Sequence, residues 1–133
     1  MTDSLERDLV VERHDVFNVM QLTRGTRLEP LVAADIVTMD RGETSQVHRH
    51  NLAETVLYFL DGAAVVVVGD SDVEVSAGDR LTIGMGVYHG VRTPTDGCRF
   101  LSVQSPPILN ATTGFRDLEP MDSDGALRGS EES

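Results

Sequence analysis

Three of the chain's four histidines, His48, His50 and His89, together with Glu54, have the types and spacing of a metal-binding set. His48 and His50 stand two residues apart in "QVHRHNLAET", residues 46–55. On a strand, residues two apart project from the same face, so both imidazoles enter one space. Glu54 keeps that parity if the strand or its bend continues. Imidazole is the commonest metal ligand near neutral pH, and a carboxylate adds charge that offsets a divalent ion. Adjacent residues cannot surround an ion, so a further ligand must come from distant sequence. His89, in "GMGVYHG", follows a glycine-rich turn that can bring one strand close to another. Three imidazoles and one carboxylate suit one divalent transition metal, and Mn, Fe, Co, Ni, Cu and Zn are all compatible. Four protein ligands on an octahedral ion leave two positions open, which is the condition for catalysis rather than structural support.

Short strands must position these groups. Apolar and β-branched runs occur at 16–22 ("VFNVMQL"), 31–39 ("LVAADIVTM"), 55–60 ("TVLYFL"), 63–69 ("AAVVVVG") and 98–104 ("CRFLSVQ"). Asp61-Gly62 between two of them predicts a tight hairpin. "GDSD" (69–72) and "AGD" (77–79) predict two more turns, and "VEVS" alternates as a half-buried strand does. No long segment has a helical period, although "TGFRDLEPM" allows a single helical turn. Many short strands with tight turns in about 100 residues imply an all-β sandwich or barrel in one domain. The expected organisation is a flexible segment at 1–8, a β-barrel over 9–116 and an acidic, disordered tail at 117–133.

The chain's 133 residues are enough for one core, and its net charge is −11. An acidic surface repels phosphate backbones and anionic lipid, so neither nucleic acid nor membrane is an expected partner. All 11 basic residues are arginine, which excludes Schiff-base chemistry and a P-loop lysine. One cysteine, Cys98, excludes an intramolecular disulfide and a cysteine zinc cage, and reads as a small buried apolar residue. The start is acidic and mixed rather than signal-like, and no apolar run is long enough to span a bilayer, so the expected setting is cytoplasmic. His14, in "ERHD", is expected in solvent.

The two histidine segments resemble the paired motifs of the cupin superfamily. The first reads Gly42, five residues, His48, one residue, His50, three residues, Glu54, seven residues, Gly62. The second reads Gly78, five residues, Gly84, Met85, Gly86, two residues, His89, three residues, Thr93. This resemblance implies a jelly-roll β-barrel with His48, His50, Glu54 and His89 on one metal. The chain departs from the pattern in three ways. The acid lies one residue early, with Thr55 in its usual place; Gly84 replaces a proline; Thr93 replaces an asparagine. A β-bulge can absorb the extra residue and aim Glu54 inward. Otherwise the site is three histidines alone, or Glu54 orients an imidazole from outside.

A small barrel admits a small-molecule substrate at its mouth. Tyr58, which shares parity with Glu54, and Gln104, which ends a strand, are the expected catalytic contacts beside the metal. Tyr58 is otherwise core, and Gln104 otherwise edge-exposed. Arg49 and Arg92 have the opposite parity and should face outward. The resemblance favours a metal-dependent oxidoreductase of dioxygenase type, with Fe or Mn as the metal, because "HRHN" is similar to the ligand strand of ring-cleaving cupins. Isomerase, lyase or cyclase chemistry, or a non-catalytic sensing module, is the alternative. Cupins commonly pair, and "DLVVERHDVFNVMQL" offers a strand for exchange, so a homodimer is expected.

Overall fold

The computed structural model describes residues 5–109 and 113–121. Among these, ten strands and no helix are present, so the all-β expectation holds. Strands β1 (Val11–His14) and β2 (Phe17–Gln21) form a hairpin, with Asp15 at φ 55° in its turn. Aspartate tolerates this left-handed region because its side chain can bond locally. β3 (Ala33–Met39) adds to β2, and β9 (Cys98–Ser105) adds to β3, all antiparallel.

The long strand β5 (Glu54–Val68) is the hinge of the fold. Its first half pairs with β9 on one side and with β7 (Arg80–Ile83) on the other. Its second half pairs with β6 (Ser71–Ser76) and β8 (His89–Arg92). β8 then pairs with β4 (His48–Arg49), and β4 with β10 (Glu119–Pro120). One strand therefore serves two facing sheets, which curl around a common interior.

The hairpin expected at Asp61-Gly62 does not form. The chain runs straight on through a bulge between Phe59 and Asp61. A turn and a bulge both call on glycine for positive φ, so the dipeptide carries the same signal for either. Gly62 sits at φ +76° against the neighbouring turn, where an added Cβ would lie 1.9 Å from the Gly97 carbonyl oxygen. That contact brings β5 against the start of β9 and makes the corner between the sheets.

Apolar residues close one end of the barrel. Leu57, Phe59, Val66, Val37 and Phe100 are all buried. Phe59 and Phe100 pack with ring centroids 5.0 Å apart, and Phe17 meets Phe100 edge-on at 6.4 Å. Of "AAVVVV", Ala64 and Val66 enter this core, while the alternate residues are half-buried on the other face.

The barrel also extends past the expected boundary at 116. Residues 117–121 return to it, with Glu119 and Pro120 opposite Arg49 and His48 and the Met121 amide bonded to the Val47 carbonyl. Arg116 bridges to Leu109, so this stretch is extended and not helical. Residues 1–4 of the expected N-terminal segment and 122–133 of the expected tail lie outside the described residues. No helix among the described residues is long and apolar enough to cross a membrane.

Candidate metal centre

His48, His50 and His89 meet at the open end of the barrel, each contributing one ring nitrogen, all within 4.8 Å of one another. Their ring centroids lie 4.8 to 5.1 Å apart. Two strands produce this convergence, because His48 on β4 is the direct cross-strand partner of His89 on β8. His50 follows on the same face. The glycine turn before His89 supplies the close approach, since the Gly86 amide donates to the His50 carbonyl at 2.7 Å.

Hydrogen bonds fix two of the rings. His50 Nδ1 donates to the Asp117 carbonyl at 2.7 Å, and His89 Nδ1 donates to the Val87 carbonyl at 2.9 Å. A carbonyl oxygen can only accept, so Nδ1 carries the proton and Nε2 keeps its lone pair. Burial then keeps the rings neutral. It pushes the His48 pKa down to about 3, assisted by His89, His50 and Arg116. It pushes His89 down to about 4, against the opposing effect of its Val87 bond. His50 is also lowered by burial, with Asp117 opposing. Three neutral imidazoles whose ring nitrogens converge, two of them fixed by hydrogen bonds, fit a divalent transition ion.

Asp117 holds this arrangement from below. It is 3 % exposed, and its carboxylate accepts from the amides of Asn51 at 2.7 Å, Leu52 at 2.9 Å and Ala53 at 3.0 Å. It thereby fastens the turn after His50 while its carbonyl holds the His50 ring. Asp117 lies 67 residues from His50 in sequence, and no local pattern marks it.

Glu54 does not join the histidines. It is exposed on the outer face of β5, and Thr55, 2 % exposed, faces inward in its place. Strand parity decides this. Leu57 and Phe59 must enter the core, so Thr55 shares their side and Glu54, Val56 and Tyr58 take the other. The bulge that could have turned Glu54 inward falls after Phe59, too late to act on it. Tyr58 is 42 % exposed for the same reason and does not reach the cavity.

Gln104, expected either beside the metal or at an exposed edge, lies inside. It is buried, opposite both Thr55 and Ala33, with Nε2 3.2 Å from His50 Nε2 and 3.4 Å from Thr55 Oγ1. Its amide N–H donates to the His50 lone pair. Arg49 and Arg92 face outward and pair with Glu119 at 2.9 Å and Asp72 at 2.8 Å. Thr93, fully buried, bonds the backbone of Asp40 and Glu43 rather than the histidines. Burial raises the Cys98 thiol to about 11, so it is no nucleophile. His14 pairs with Glu12 at 3.1 Å on the rim of the cavity.

The cavity measures about 990 Å³, and the histidines form one wall of it. Asp35 and Ser102, which face inward, line it as well, as does the exposed Arg116; the sequence left Asp35 and Arg116 unmarked. Asp35 sits in a strand dense with apolar residues, and its inward parity becomes visible only once Val37 and Met39 are known to be core.

The comparisons with known proteins agree with this fold. No curated protein matched the chain by sequence. Solved structures share its fold at low identity. The KdgF structure from Halomonas sp. is 20 % identical, with a TM-score of 0.64 over 76 % of this chain and 89 % of that one. A predicted oxalate decarboxylase from Thermotoga maritima is 18 % identical, with a TM-score of 0.67 over 75 % and 95 %. An RmlC-like cupin from Shewanella frigidimarina is 23 % identical, with a TM-score of 0.67 over 78 % and 89 %. The family model for the cupin domain matches residues 35–104, from the inward acid of β3 to the glutamine beside His50. With its jelly-roll barrel and its histidines at the open end, the chain belongs to the cupin family.

Proposed function

We propose that this cupin is a metal-dependent enzyme for a small oxygenated organic acid, with dioxygenase-type chemistry at an ion held by His48, His50 and His89. The observation that carries this reading is the convergence of three neutral imidazoles at the mouth of a cavity of small-molecule size. Without a carboxylate among its ligands the ion keeps its full positive charge, which favours an anionic, chelating substrate. Iron(II) or manganese, when bound, supplies open coordination positions and electrons for oxygen chemistry.

The chain's own side chains do the remainder. Arg116 lines the cavity close enough for its charge to act on His48, and no acid pairs with it among the described residues. It is suited to hold a substrate carboxylate. Gln104 turns its amide from His50 to the substrate and fixes its orientation. Glu54 and Tyr58 stand outside and take no part. The outer face that carries Tyr58 is apolar across neighbouring strands, with Ile36 opposite Leu101 and Leu101 opposite Tyr58. A second copy packing on this face makes the proposed homodimer, in place of an exchanged N-terminal strand. The reducing cytoplasm suits the lone buried thiol.

A second reading, isomerase or lyase chemistry on the same metal, is favoured by the inward acid Asp35. The test is elemental analysis of protein purified without a metal column, beside His48→Ala, followed by oxygen uptake with diols and hydroxy acids. About one Fe or Mn per chain, absent from the variant, with oxygen consumed, supports the dioxygenase reading. Zn, Ni or Co without oxygen uptake supports the second. Metal with tight binding and no turnover leaves a binding module.

A further inference from the structure

The wall of the cavity facing the histidines holds an acid whose carboxyl, among the described residues, receives no hydrogen bond or ion pair. Asp35 lies on β3 between Gln21 of β2 and Ser102 of β9, directly opposite each in the register. It shares its face with Val37 and Met39, both buried, so its side chain enters the interior. One pleat along β9 from Ser102 is Gln104, whose amide reaches His50. Diagonal neighbours on a sheet face lie about 7–8 Å apart, so a small molecule beside His50 spans the distance to Asp35.

From this placement we infer that Asp35 is the proton acceptor for a hydroxyl of the molecule bound at the three histidines. The inference rests on the reading of those histidines given above. In the step, the substrate O–H bond breaks and its electron pair stays on the substrate oxygen. The proton joins a carboxylate oxygen of Asp35, and later passes to product or to cavity water. Ser102, the neutral group beside it, holds the hydroxyl in line, while the Gln21 amide is bonded to Glu12 and Arg24.

The surroundings suit the task. Of the charged groups that line the cavity, His14 of β1 acts on Asp35, and Glu12, beside His14, is paired with Arg24 at 2.8 Å. Burial raises the carboxyl to about 6, against a small opposing effect of His14. An acid poised just below neutrality is ionised at pH 7 and still basic enough to take a proton.

The experiment uses the full chain and Asp35→Asn, both loaded with zinc and titrated with catechol by calorimetry in buffers of different ionisation enthalpy. Catechol loses a hydroxyl proton when it chelates. At pH 7 the wild type should release about one proton fewer to buffer than Asp35→Asn, because Asp35 captures it. In parallel, the carbon-13 carboxyl resonance of Asp35, assigned by its absence in the variant, should shift as catechol is added to wild type. Equal zinc content with equal proton release overturns the inference and leaves the metal site standing. If neither protein binds zinc, the metal reading fails by itself. Asp35 is then judged by its resonance in the metal-free chain: a shift with catechol retains the role, and no shift removes it.

Discussion

The two walls of the cavity are built on different principles. The histidine wall, from β4 and β8, is braced: His50 and His89 each spend Nδ1 on a backbone carbonyl, and Asp117 ties the following turn with three amide bonds. The facing wall, from β2, β3, β9 and the first half of β5, presents Asp35 and Ser102 without side-chain hydrogen bonds among the described residues, beside Gln21, Gln104 and Thr55, which bond only to other side chains. Braced donors suit an ion, whose ligands must not move. Loosely partnered hydrogen-bonding groups suit a molecule that comes and goes. The difference teaches that one end of a single barrel can divide holding from reading between its two sheets.

The strongest break of this contrast is to remove a donor. His48→Ala or His89→Ala should cut metal binding by more than the roughly 100-fold that loss of an outer hydrogen-bonding partner costs. Elemental analysis after dialysis measures it, and full stoichiometric metal in either variant would show that the ion sits elsewhere.

Removing the brace comes next. Asp117→Ala leaves three buried or half-buried amides without their acceptor, which should cost about 2–3 kcal/mol in urea unfolding. The Asp117 backbone carbonyl that holds the His50 ring is kept in this variant, so zinc should loosen by less than the roughly 10- to 100-fold that loss of such a partner costs, through the slackened turn alone. Unchanged stability would show that Asp117 is not what fastens the turn.

Acid should distinguish the walls in the metal-free protein. The buried histidines have folded-state pKa values depressed from 6.5, to about 3 for His48 and about 4 for His89. Their contribution to stability is complete above 6.5 and is lost as pH falls toward 3. Asp35 has the opposite sign. Its folded-state pKa is raised from 3.8 to about 6, so its contribution is present below 3.8 and lost as pH rises through 6. Between about 4 and 6 the two oppose, and the histidines prevail by number. The thermal midpoint in chelator should therefore fall on acidification, and fall more steeply in Asp35→Asn, which lacks the opposing group. Parallel slopes would contradict a buried ionisable Asp35.

A smaller effect tests whether a ligand can be moved across. Thr55→Glu places a carboxylate at the inward position that Glu54 misses, and should tighten zinc by about tenfold, or 1.4 kcal/mol. Looser binding would mean that Thr55 does not face the histidines. Smallest of all is Glu54→Gln. On the outer face of β5 it should leave metal content unchanged and stability within about 0.5 kcal/mol. A loss of metal would restore Glu54 as a ligand.

Much of the site was legible because its spacing is local. His-x-His on a strand and a histidine after a glycine turn need only the two-residue period and a close approach, which together mark the three histidines; parity left Gln104 open between the cavity and an exposed edge. Glu54 and Tyr58 were misplaced together, since one shift of register moves every second residue to the other face. The hairpin at Asp61-Gly62 was misread because positive φ serves a turn and a bulge equally. Asp117 was given to a tail because its acidic neighbours resemble one, while its partners lie more than sixty residues away.

By itself the sequence determined an all-β barrel, a histidine set and an apolar interior, because strand period, turn chemistry and ligand type are properties of short stretches. The tertiary structure alone decided that Thr55 and not Glu54 enters the cavity, that Asp117 braces it, and that Asp35 faces the histidines. Those outcomes depend on which residues the core requires inside and on which distant strands lie in register, and neither is written in a local pattern.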